Sequence, residues 1–109
     1  MSTAAAWGML LLAGLLDVLW ALAMKSAQGY TRPGWTLLSL LLLAGFVWLL
    51  GRSLSVLPVG TAYAVWTGIG AVGTLLAGAL LFGESLNAWR LGGIALVLAG
   101  IVLLKLAPA

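Results

Sequence analysis

The stretch Ala4–Met24, AAAWGMLLLAGLLDVLWALAM, carries a single charged side chain, Asp17. About 20 apolar residues in a helix rising 1.5 Å per residue cross the hydrocarbon core of a bilayer, so the run predicts a membrane-spanning helix. Thr3 stands before it as a candidate N-cap and Lys25 closes it. A cleaved signal peptide has basic residues ahead of its apolar core. Here the nearest lysine follows the core and an acid lies inside it, so the expectation is a retained span.

Working outward, the chain repeats this pattern three more times, giving predicted spans at about 4–24, 35–52, 58–82 and 88–106. Ser26, Gln28, Gly29 and Tyr30 make a loop that Pro33 and Gly34 end by opening the next helix. Arg52, Ser53 and Ser55 mark a short turn, with Pro58 placed for the first turn of the third helix. Gly83, Glu84 and Ser85 form the last turn, and Ser85 or Asn87 is the cap of the fourth helix. Four spans use about 80 residues of the 109, leaving no linker and no room for a soluble domain. The reading is an all-α integral membrane protein, one four-helix transmembrane domain over residues 1–109.

Composition agrees and excludes several functions. Hydrophobic side chains are 64% and charged ones 6% of the chain, against about 25% charged in soluble domains. With no His and no Cys, zinc sites, thiol catalysis and disulfides are out, and no metal or other cofactor is expected. No phosphate-binding Gly-x-x-x-x-Gly-Lys-Ser/Thr loop is present, so work must draw on an ion gradient or run downhill. Nothing points to an enzyme. The net charge is +3, but Lys25, Arg32, Arg52, Arg90 and Lys105 are scattered singly, which fits membrane-edge anchors and not nucleic-acid binding.

Their placement bears on assembly. With a cytoplasmic N-terminus, that side holds Arg52, Lys105 and the amino terminus, and the other side holds Lys25, Arg32 and Arg90. A balanced tally gives no strong orientation preference. Insertion both ways is the expectation, and four helices are too few to wall a polar path alone. An antiparallel dimer follows.

Asp17 lies just past the middle of its span, where a charge costs about 2.5–3.5 kcal/mol on insertion scales. No basic residue lies inside any of the four cores to neutralise it, so the carboxylate is expected to hold a proton or a bound cation. Ala13, Gly14, Trp20 and Ala21 share its face at offsets of three and four. Small residues give room beside the acid and an indole gives a wall that suits an organic cation. Trp7, Trp35 and Trp89 fall near span ends as belt anchors, Trp48 is intermediate, and Trp20 and Trp66 are deep.

The third span is the polar one, with Thr61, Tyr63, Trp66, Thr67 and Thr74. Tyr63, Trp66 or Thr67, and Gly70 share a face that is expected to meet Asp17. Gly68, Gly70 and Gly73 either let this helix bend between two conformations or allow close packing. In the fourth span Gly93 and Gly100 lie a heptad apart beside Ala99, a small-residue stripe for helix contact. Glu84 reads as a solvated turn residue.

The segments Ala13–Ala21 (AGLLDVLWA), Gly29–Arg32 (GYTR) and above all Leu57–Gly70 (LPVGTAYAVWTGIG) resemble the small multidrug resistance family of bacterial four-span transporters. The likeness covers nearly the whole chain and is closer to the guanidinium exporter branch, to which Trp20, Thr61, Thr67 and Lys105 are similar. It implies an antiparallel, dual-topology dimer in the bacterial inner membrane, in which Asp17 of each copy binds protons or the exported cation. By the same resemblance Trp20, Tyr63 and Trp66 line the site, with Gly14, Phe46, Thr67 and Lys105 as further lining. Gly68 and Gly70 then occupy a third-span bend, and Gly93 and Gly100 a dimer stripe. Two positions depart from the family pattern. Asp17 stands where Glu is usual, one methylene longer, and Phe46 where relatives commonly have a serine able to bond the carboxylate.

The expected function is proton-coupled antiport that exports guanidinium or small guanidinyl cations by alternating access. One alternative is export of quaternary ammonium or aromatic cationic drugs by the same machinery. Another is a non-transporting subunit, or half of a heterodimer with a related chain. The expected partners are protons, a small organic cation, the lipid bilayer and a second copy.

Overall fold

A computed structural model describes residues 2–108. Four helices make up the structure: α1 (Thr3–Ser26), α2 (Pro33–Leu54), α3 (Val59–Phe82) and α4 (Ala88–Leu106). All four are long and apolar enough to cross a bilayer, the only kind of open-ended element whose backbone is satisfied there.

The helix ends follow from local chemistry and refine the sequence reading. Ser2, not Thr3, caps α1: its Oγ accepts from the Ala5 N–H at 3.1 Å. Pro33 opens α2, where its missing N–H leaves no orphan donor. Pro58 is the residue before α3 and not part of its first turn. Asn87, not Ser85, caps α4 by accepting from the Arg90 N–H at 3.0 Å. At the end of α3, Gly83 turns left-handed (φ 67°), as glycine readily does after a helix, and the Glu84 N–H bonds back to the Gly78 carbonyl at 3.3 Å.

The helices lie side by side in a slab measuring 44 × 34 × 17 Å between Cα atoms. α1 packs on α2 and α3, α2 also touches α3, and among the described residues α4 packs mainly on α3 and reaches α1 through Lys105 over Trp7. The best-buried cluster is at one end, where Ala6, Leu10, Leu57, Ala62 and Val65 gather with Trp7, Leu54 and Trp66 around them. Outward faces are strongly apolar. Leu80, Leu96 and Trp89 are 84%, 77% and 90% exposed, tolerable because lipid, or another chain, is their solvent.

Several cations sit on rings near helix ends. Arg52 lies 5.4 Å from the Trp48 ring centre and Lys105 the same distance from that of Trp7. Glu84 corrects the sequence reading, since it is paired and not merely solvated. The Lys25 Nζ donates to its Oε2 at 2.8 Å, and the same ammonium lies 4.9 Å from the Phe82 ring centre. The other carboxylate oxygen fills the place a Cβ on Gly78 would take, so the α3–α4 turn is clasped to the end of α1.

The Lys25 ammonium, helped by Arg90, holds the Glu84 carboxyl below its ordinary range. The pair therefore contributes above that range and is lost as pH falls through the lowered Glu84 value. Carbon-detected NMR titration of Glu84 in micelles is expected to show its midpoint rising in Lys25→Met; an unchanged midpoint would contradict the pairing.

Candidate functional site

Asp17 is positioned by close approach of two helices running in the same direction. Gly14 of α1 faces Ile69 of α3, so near that a Cβ at residue 14 would lie 2.6 Å from the Ile69 Cγ2. One turn on, the Asp17 carboxylate occupies the space that a Cβ on Gly70 would need, and Val18 does the same at Gly73. The register 14/69, 17/70, 18/73 makes the acid a wedge between α1 and α3. It is half-buried. Among the described residues the only ion pair is Lys25–Glu84, and Asp17 takes part in no hydrogen bond. Lys25, on the same helix, is eight residues or about 12 Å further along the axis. A carboxylate so placed has no internal counter-charge.

Beside it runs a ladder of rings from three helices. Trp20 (α1) meets Phe46 (α2) at 5.3 Å between ring centres and 52° between planes. Phe46 stacks on Trp66 (α3) at 5.6 Å and 27°. Tyr63 then meets the Trp66 ring edge-on at 5.4 Å and 67°. Trp20 is one turn beyond Asp17 on α1, and Trp66 is one turn before Gly70 on α3. Phe46 therefore bridges across the level of the carboxylate. Such spacings bring favourable aromatic contact, and the ring faces can attract a cation that pairs with the acid.

One atom is left over. The Trp66 Nε1 is buried with no hydrogen-bond partner, a state that costs about 1–3 kcal/mol. No sequence pattern signalled it, because it depends on what the neighbouring helices present to the indole. Tyr63, which meets the same ring, is 59% exposed.

Of the residues singled out from sequence, the structure brings Asp17, Trp20, Phe46, Trp66, Tyr63 and Gly14 into this region. Thr67 is exposed next to Trp66. Lys105 lies elsewhere in the chain, over Trp7, which is ten residues or about 15 Å from Asp17 along α1. Gly68 packs under Val97 and Ile101 of α4, and Gly70 under Asp17, both within the uninterrupted α3. Gly93 and Gly100 meet no other side chain within 4 Å of a built Cβ.

With this geometry in place, similarity to known proteins decides the family. The model of the Small Multidrug Resistance protein family matches residues 5–97. The chain belongs to the small multidrug resistance family. It is 49% identical over 102 residues to the guanidinium exporter of Yersinia pseudotuberculosis, spanning 94% of this chain and 98% of that one. It is 47% identical over 100 residues to the guanidinium exporter of Citrobacter freundii, covering 92% and 95% of the two chains. The guanidinium exporter of Proteus vulgaris is 44% identical over 101 residues, covering 93% and 97%. Membership and four apolar helices make this small multidrug resistance chain a multi-pass protein of the bacterial inner membrane.

Gly70→Ala places a methyl where the carboxylate sits, while favouring the helix itself. Reaction of Asp17 with a hydrophobic carbodiimide, followed by mass spectrometry, is expected to change several-fold in this variant with helical circular dichroism preserved. Labelling equal to the parent protein would show that Asp17 does not depend on the Gly70 notch.

Proposed function

We propose that this protein exports guanidinium-type cations across the inner membrane in exchange for protons, the two ligands competing for Asp17. The observation that carries the reading is a membrane-embedded carboxylate with no paired cation among the described residues, set beside a ladder of aromatic rings. In hydrocarbon such a group is stable only when protonated or paired. One ligand leaves as the other binds, and that competition couples the fluxes.

A planar guanidinium matches the carboxylate with two parallel N–H donors and lays its face on an indole. The names of the relatives agree with that chemistry. The working unit is an antiparallel homodimer of oppositely inserted copies, exposing the shared site alternately to each side. Its supports are the balanced charges at the helix ends and the small-residue stripe of Gly93 and Gly100, next to an apolar groove lined by Trp89, Gly92 and Leu96. Thr67 completes the site beside Trp66, and Gly68 and Gly70 give α3 its freedom to bend. Phe46 favours a second reading, export of quaternary ammonium or aromatic cations, because it puts an apolar ring where a donor would serve a carboxylate.

Liposomes containing the purified chain alone, loaded with a pH-sensitive dye, test the proposal. Guanidinium added outside is expected to drive proton movement, and Asp17→Asn to abolish it. Equal flux through the variant would sink the carboxylate mechanism, a response confined to a quaternary ammonium would favour the second reading, and rescue only by a related chain would favour a heterodimer. Accessibility of a C-terminal tag in cells is expected on both membrane faces; one face alone would count against dual insertion.

A further inference from the structure

The buried residues of α2 are Ser39, Phe46 and Ser53, spaced by sevens along one face. Both serines spend their hydroxyls on their own helix, donating to the carbonyls of Thr36 and Leu50 at 2.7 Å. The middle position carries a ring in their place, 3% exposed, stacked on an indole, that of Trp66, whose Nε1 is buried without a partner. Phe46 holds one indole on each side, tilted on Trp20 and stacked on Trp66.

This inference rests on the cation-export reading and narrows its substrate. We propose that Phe46 is a positioning residue that sets the specificity of the Asp17 site, selecting guanidinium cations that bear an apolar substituent over guanidinium itself. Being almost inaccessible, it acts through the two indoles it separates, holding both as apolar faces with no hydrogen-bonding atom between them. Guanidinium itself is ringed by N–H donors, each of which loses water on entry and needs an acceptor. Near the ladder the side-chain acceptors are the Asp17 carboxylate and the hydroxyls of Tyr63 and Thr67, while α2 supplies none and the Trp66 indole adds only a further donor. A substituted guanidinium keeps two donors for the carboxylate and replaces others with apolar surface that the rings cover.

The test compares guanidinium and benzylguanidinium as ligands of the whole chain in lipid nanodiscs, by tryptophan quenching, and as substrates in the liposome assay. The parent protein is expected to bind benzylguanidinium about tenfold more tightly, the upper scale of one aromatic–aromatic contact. Phe46→Tyr, which keeps the ring, is expected to retain that ratio, whereas Phe46→Leu and Phe46→Ser bring it toward one. Circular dichroism identifies any variant that has lost its helices.

A ratio unchanged in Phe46→Ser and Phe46→Leu, or a parent protein that prefers guanidinium, would overturn the proposal. Binding without transport removes the export reading while the binding ratio still decides the role of Phe46. A parent protein that neither binds nor moves either cation overturns both.

Discussion

A carboxylate in hydrocarbon must be neutralised, and the rest of this structure is arranged around one that its own chain leaves bare. Asp17 costs several kcal/mol to place in the membrane as an ion. Its nearest charged neighbour along α1, Lys25, is committed to Glu84 at the membrane edge. In the proposed function the acid is open to exchangeable partners, and the surrounding elements decide which ones reach it. A lysine or arginine inside any span would have turned the same residue into a structural ion pair.

Glycine on α3 makes that placement physically feasible. Gly70 and Gly73 receive Asp17 and Val18, while Gly14 on α1 receives Ile69, so the two helices approach through reciprocal notches. Van der Waals contact of this kind is the main adhesive between helices in lipid, where apolar side chains gain nothing by avoiding water. α4 has little of it, packing mainly on α3 and burying only Ile94. A helix so thinly held within its own chain, carrying an unoccupied stripe at Gly93 and Gly100, is consistent with the proposed partner copy.

Much of this was legible in the sequence because the membrane imposes length and polarity on every span. The four helices, and Asp17 as the exceptional charge, follow from apolar runs and from the cost of burying an ion. Helical offsets grouped Asp17 with Gly14 and Trp20, and Tyr63 with Trp66 and Gly70. Periodicity within a helix does not report what the neighbouring helix presents. Gly70 stood on the face expected to meet Asp17, but its part as the seat of the carboxylate was left open between bending and close packing, Glu84 read as solvated when Lys25 reaches it, and the orphaned Trp66 indole gave no signal. The α1 cap moved by one residue, from Thr3 to Ser2, and of the two candidates for α4 the backbone uses Asn87.

The central claim is that a proton and an organic cation occupy the same carboxylate, and proton release on binding tests it most directly. Guanidinium is titrated into the purified, weakly buffered protein in detergent, at a pH where Asp17 is protonated, while released protons are counted. The account predicts release that saturates with cation binding and vanishes in Asp17→Asn. Saturable binding with no proton release would contradict it.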